Sequence, residues 1–141
     1  ASAAFICNEE GHLLVCRRAN EPAKGTLDLP GGFIDYNETG EAGISREVYE
    51  ELGVEINNFN FAFSLPNNYH YSGLNVPTLD LFFEAKVSNQ TTIKAADDVE
   101  ECFFIPVNQL NPELFGLSSI KKAVKIFIST HENLENKRNL V

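Results

Sequence analysis

A chain of 141 residues, 43% hydrophobic and 22% charged, is long enough for one domain with a real core and too apolar for a disordered segment. Its formal charge of −9 argues against binding DNA or RNA by phosphate neutralisation, which needs clustered Lys and Arg. A phosphorylated small molecule stays open, because a bound divalent ion reverses the local field. No apolar run approaches a bilayer span and no signal-peptide layout opens the chain, so no membrane partner is expected. Cys7, Cys16 and Cys102 are odd in number and form no CxxC pair, which favours reduced thiols and a cytoplasmic setting. The lack of any Met suggests a processed or excised chain that belongs to something longer.

In chain order, Ala3 to Cys7 and Leu13 to Cys16 are short apolar runs around Asn8-Glu9-Glu10-Gly11, a hairpin pattern, with His12 facing solvent. Arg17 to Gly25 is a polar loop whose cations could steer an anion or simply be solvated; Arg18 and Lys24 are the phosphate-contact candidates. Leu27 to Leu29 leads into Pro30-Gly31-Gly32 and a short strand over Phe33 to Asp35. A helix runs from Thr39, its N-cap, to Leu52, with Gly53 ending it. Ala42, Val48 and Leu52 form its apolar stripe, with Ile44 and Tyr49 on the flanks. Val54 to Phe63 has a strand pattern broken at Asn57-Asn58. Ser64 to Asn75 is too polar and turn-rich for regular structure and reads as a long, functional loop. Thr78 to Val87 alternates as a strand, Ser88 to Asp98 is a loop, and Glu101 to Pro106 is a further strand. Ser118 to Thr130 is helical by its apolar spacing, and the tail from His131 to Val141 reads as frayed. The expectation is a single domain, 1–141, of mixed strands with two principal helices.

The chemistry concentrates on the first helix. Glu47, Glu50 and Glu51 stand at i, i+3 and i+4 and so project from one face. Like charges at that spacing repel, and hard oxygen ligands suit Mg²⁺ or Mn²⁺. Pro30-Gly31-Gly32 lets backbone approach the same face without Cβ interference.

Gly32 is followed after five residues by Glu38, and after seven more by Arg46-Glu47-Val48; Glu50-Glu51 and Gly53-Val54 complete the series. This arrangement resembles the Nudix box, Gly-x5-Glu-x7-Arg-Glu-U-x-Glu-Glu-x-Gly-U with U apolar, at every defined position. Seven fixed residues match by chance with a probability on the order of 10⁻⁷ or less at average usage, which sets aside an ordinary charged surface helix. The resemblance implies an α+β chain folded as an α/β/α sandwich around a mixed sheet, and a Mg²⁺ (or Mn²⁺) site. By the same resemblance Glu47, Glu50 and Glu51 are ligands, Gly32 or Gly31 supplies a carbonyl, and Arg46 pairs with Glu38 to hold helix against loop. Asp98 and Glu101, in the cluster Asp97 to Glu101, match a further metal or base carboxylate of many Nudix proteins; a solvated acidic turn is the alternative.

The implied reaction is hydrolysis of a nucleoside diphosphate linked to another moiety. Ser64-Leu65-Pro66-Asn67-Asn68-Tyr69-His70-Tyr71-Ser72 partly matches the downstream signature of the NADH diphosphatase branch, keeping Ser64, Pro66, an aromatic at Tyr69, and Ser72. Its Gln, Trp and two prolines are replaced, which removes a stacking surface worth ~1–3 kcal/mol for a base. That branch also has a zinc ribbon ahead of this domain, which these residues lack. Phe33 matches a substrate-stacking aromatic of the branch, or is a core strand residue. Tyr69 or Tyr71 would equally satisfy the tyrosine of diadenosine polyphosphate hydrolases. The expectation is therefore an NADH-like or ADP-ribose-like dinucleotide as substrate, with substrate contacts from Phe33, Tyr69, Ser72 and Arg18. A nucleoside triphosphate pyrophosphatase and a non-catalytic nucleotide sensor are the rivals, and a homodimer is left open.

Overall fold

The structure, a computed structural model, describes residues 1–140 apart from the side chain of Tyr71. In order, the elements are β1 (Ser2–Cys7), β2 (Leu13–Arg18), β3 (Leu27–Asp28), β4 (Gly31–Gly32), α1 (Gly40–Leu52), β5 (Asn60–Tyr71), β6 (Leu74–Lys86), β7 (Val99–Ile105) and α2 (Ser118–Asn139). The strands lie in one sheet with the path β3-β2-β1-β6-β5, to which β4 adds on β1 and β7 on β2. β1 runs parallel to β6, and the other pairings are antiparallel. The β1–β2 turn closes on Asn8, whose Oδ1 accepts from the N–H groups of Glu10 and His12 at 3.0 Å each.

Side chains alternate across a strand, so β1 sends Ala4 and Ile6 to one face and Ala3 and Phe5 to the other. Each face carries a helix. Ile44, Val48 and Leu52 of α1, all 0% exposed, pack on Ala4, Ile6, Leu14 and Phe83. On the opposite face Val124 and Phe127 of α2 meet Phe5, Phe82 and Phe115, with the Phe5 and Phe127 rings stacked at 4.5 Å. Two covered faces explain why β1 and β2 are apolar along their length rather than alternating. The architecture is the expected α/β/α sandwich around a mixed sheet. Among the described residues, no helix is long and apolar enough to cross a membrane.

α1 starts where its residues dictate. Thr39 Oγ1 accepts the Ala42 N–H at 3.0 Å, and Gly53 closes the helix at φ 68° with its N–H on the Tyr49 carbonyl. Thr39→Ala is expected to cost about 1 kcal/mol in chemical denaturation. The core stripe differs in detail from the sequence expectation: Ala42 and Tyr49 are exposed, while Ile44 is central.

Four segments depart from expectation. Phe33 to Asp35 is not a strand; pairing with β1 occurs one step earlier, at Gly31 and Gly32. Val54, Ile56 and Phe59 are buried but lie in irregular chain ahead of β5. Ser64 to Asn75 is not a loop: β5 and β6 form one long hairpin, turned at Ser72-Gly73 with φ of 49° and 77°, the positive pair that a type I′ turn requires. The alternation was hidden because Phe63, Leu65, Asn67 and Tyr69 share the less exposed face, and Asn67 reads as polar although it lines a cavity. Pro66 is tolerated because β5 is an edge strand, and Pro77 because β1 pairs β6 only from Leu81 onward. Finally, α2 continues to Asn139 rather than fraying at His131, ending on Lys137 and Arg138, cations favourable at a helix C-terminus; Val141 lies outside the described residues.

Candidate active site

Two glycines bring β4 against α1. A Cβ on Gly31, at φ 155°, would sit 2.7 Å from the Ala3 Cα and strike the Ser2 carbonyl. A Cβ on Gly32 would stand 2.5 Å from Glu47 Cδ. Only backbone without side chains fits between β1 and the acidic face of α1. The Gly31 N–H donates to Glu51 Oε1 at 2.9 Å.

Arg46 ties this face together. Its Nε donates to Glu38 Oε2 at 2.8 Å, its Nη2 to Glu38 Oε1 and to the Phe33 carbonyl at 3.0 Å each, and its Nη1 to Glu47 Oε1 at 3.0 Å and Glu50 Oε2 at 3.2 Å. Glu38 Oε1 also accepts the Asp35 N–H at 2.8 Å. Hydrogen bonds from Arg46 hold the Glu38 carboxyl down at about 2, and those same bonds raise the Arg46 pKa further. Glu38 and Arg46 thus clamp the loop onto the helix.

Glu51 is the reverse case. Burial pushes its pKa up to about 8, and Glu47, Asp28 and Asp98 add repulsion that the Gly31 N–H only partly offsets. Burial likewise raises Glu47, against the pull of Arg46. An acidic pocket of this kind favours a cation.

Beside Glu51 lies a cavity of about 310 Å³ lined by Gly31, Gly32, Phe33 and Glu51 together with Asn67, Tyr69, Asp80 and Ser119. Phe33 is 52% exposed, and its ring meets Tyr69 edge-on at 5.1 Å. Arg18 and Asp98 also line the cavity. Arg18 is held by Asp28 Oδ2 at 2.6 Å and the Pro22 carbonyl at 2.7 Å. Asp98 is positioned by residues that sequence reading missed: Asn20 Nδ2 donates to its Oδ1 at 2.8 Å, and the Ala19 N–H to its carbonyl at 3.0 Å.

Two expected residues are not brought to this group. Glu101 accepts from Arg17 Nε at 2.7 Å; strand alternation puts that pair on the α2 face, since Cys16 and Cys102, one step along, face α1. Ser72 is in the hairpin turn and does not line the cavity. The side chain of Tyr71 lies outside the described residues.

The family model for the NUDIX domain matches residues 1–124. The chain belongs to the Nudix family. An ADP-ribose pyrophosphatase of Methanocaldococcus jannaschii is 29% identical to it over 119 residues, 83% of this chain and 68% of that protein. The NAD-capped RNA hydrolase NudC of Deinococcus radiodurans is 34% identical over 97 residues, 69% of this chain and 32% of its own length. The chain spans about a third of the length of several relatives that it matches. Among solved structures, the NUDIX domain of Shewanella oneidensis NrtR, crystallised with ADP ribose, superposes with a TM-score of 0.72 at 19% identity, covering 94% of this chain and 86% of that one.

The Nudix box carboxylates fit a hard divalent ion by two observations. Glu51 is a largely buried carboxylate, of intermediate exposure, whose hydrogen-bond partner is a backbone N–H, and Gly32 leaves its backbone directly against the Glu47 carboxylate. Among the described residues no three His, Cys, Asp or Glu side chains stand at ligand spacing, because Arg46 holds Glu47 and Glu50 toward itself. An ion held here would compete with Arg46 for those two carboxylates, while Glu38 keeps the guanidinium in place.

Proposed function

We propose that this chain is a metal-dependent Nudix pyrophosphohydrolase that cleaves the diphosphate of a nucleoside diphosphate derivative, with an ADP-ribose-like or NADH-like dinucleotide as its substrate. The reading is carried by one arrangement: the Glu38–Arg46 clamp holds the loop on α1, Gly32 lies against Glu47, and Gly32 and Glu51 line a cavity. A Mg²⁺ or Mn²⁺ ion held by Glu47, Glu50 and Glu51 with the Gly32 carbonyl would neutralise the diphosphate oxygens and lower the pKa of water. If Glu47 and Glu50 held the ion without Glu51, Glu51 would take the proton of the attacking water, and with all three as ligands Asp98 would take it. Phe33 and Tyr69 offer aromatic surface at the cavity rim for a base or nicotinamide. The ADP-ribose side of the choice is supported by the name of the M. jannaschii relative and by the ligand of the NrtR domain; the NADH side by the D. radiodurans relative.

The test is a Mg²⁺ turnover screen with product identification. ADP-ribose, NADH and NAD are expected to yield a nucleoside monophosphate and a second phosphorylated product, with no turnover after chelation. Pyrophosphate release from nucleoside triphosphates as the best reaction would replace this reading by a triphosphate pyrophosphatase. Binding without turnover of any of these nucleotides would replace it by a sensor.

A further inference from the structure

Asp80 is the most deeply buried acidic residue that the Nudix box does not use: it is 6% exposed, on the α2 face of β6. A carboxylate in such a place needs strong hydrogen bonds, yet its contact is one of 3.4 Å with Thr78 Oγ1. The Ala1 ammonium forms an ion pair with it at 4.0 Å, beyond hydrogen-bond reach. Asp80 lines the cavity, and so does Ser119, itself 5% exposed and with no hydrogen bond to its hydroxyl among the described residues. Ser119 is in the first turn of α2, whose N-cap is Leu117 and supplies no side-chain acceptor, so the first N–H groups of a 22-residue helix are left without side-chain partners there. Leu117 and Ile120 add apolar walls. This corner therefore presents one strong acceptor beside donors, between apolar surfaces.

A phosphate is disfavoured beside Asp80 by like charge, which the Ala1 ammonium at 4.0 Å offsets only in part. The two arginines that line the cavity are committed elsewhere, Arg17 to Glu101 and Arg18 to Asp28. The complementary group is a flat heterocycle with an amine next to a ring nitrogen: the amine donates to Asp80 and the ring nitrogen accepts from Ser119 or the helix end. We propose that Asp80 and the α2 N-terminus form the base-reading corner, which selects a purine carrying an exocyclic amino group. The proposal rests on the pyrophosphohydrolase reading, in which the diphosphate occupies the Glu51 end of the same cavity.

The experiment compares AMP with purine riboside 5′-monophosphate, in which hydrogen replaces the amine, by calorimetry in Mg²⁺. The wild-type chain is expected to bind AMP about tenfold or more tightly than the analogue, the range of a hydrogen bond to a charged group. In Asp80→Ala the ratio falls to about one, and in the isosteric Asp80→Asn to an intermediate value. A wild-type ratio near one, no binding of either probe, or a wild-type ratio kept in Asp80→Ala or Asp80→Asn overturns the assignment. A merely structural role for Asp80 would weaken both probes alike, and an unchanged melting temperature in Asp80→Asn separates folding from recognition. ADP-ribose turnover on the same preparation keeps the two readings apart. Loss of the ratio in the variants without turnover in the wild type supports this corner and removes the hydrolase reading.

Discussion

Replacing Glu51 by Gln should lower kcat by about 10³-fold or more in saturating Mg²⁺ while leaving the circular dichroism spectrum unchanged. The substitution keeps the shape of the side chain and its acceptor for the Gly31 N–H, but removes the charge that a divalent ion or a water proton needs. The same change should have the opposite effect on the metal-free protein. Glu51 titrates at about 8 when folded because it is buried, against about 4.3 in an unfolded chain. Between those values the native state holds a proton that the unfolded state has released, so this group makes stability fall as pH rises through that window. Metal-free wild type should therefore lose melting temperature from about pH 5 to about pH 8 more steeply than Glu51→Gln, and Mg²⁺ should raise the wild-type value most at the alkaline end. Thermal scans at four pH values with chelator and with Mg²⁺ would decide it. Near-native turnover in Glu51→Gln would remove the ligand and base roles together.

Replacing Arg46 by Met should cost about 2 kcal/mol of stability and most of the activity. Arg46 bonds Glu38, Glu47, Glu50 and the Phe33 carbonyl, so its loss leaves several carboxylates without their counter-charge. Removing one partner of a buried pair costs ~3–5 kcal/mol, and the figure is discounted here because the Arg46 side chain is 27% exposed. Glu38 reports the change directly. With Arg46 present its carboxyl is held at about 2, a depressed value, so its contribution is present at neutral pH and is lost as pH falls from about 4.5 toward 2. In Arg46→Met the Glu38 resonance should titrate higher, toward the ordinary glutamate value, with the Asp35 N–H still holding it somewhat below. Arg46→Lys should retain part of the stability but less of the activity, because an ammonium does not reproduce the two-pronged contact with Glu38. An Arg46→Met chain with wild-type stability and an unmoved Glu38 titration would show the clamp to be unimportant.

The box was legible residue by residue because its chemistry is local. Glu47, Glu50 and Glu51 share a helix face by spacing, and Thr39 and Gly53 bound that helix through bonds to their own neighbours. The long β5–β6 hairpin was not legible, because its alternation is between a cavity and solvent rather than between core and solvent, so Asn67 and Tyr69 occupy the inward positions where Leu or Val would have signalled a strand. Two prolines within it looked like breakers, and only the position of each strand in the sheet makes them harmless. Glu101 was misdirected for a related reason: its facing depends on strand register, and the pairing of Arg17 with Glu101 assigns it to the α2 side.

The sequence by itself determined the two-helix, mixed-strand composition, the acidic face of α1, the capping of that helix and the family. Tertiary structure decided what surrounds the box. It packed β4 on β1, brought the Gly31 N–H to Glu51 and set Asn20 on Asp98. It also enclosed Asp80 with Ser119, residues 39 positions apart in the chain. Spacing along one helix is fixed by the 3.6-residue turn and can be read directly, whereas contacts between a strand and a distant helix depend on sheet order and register, which no local pattern encodes.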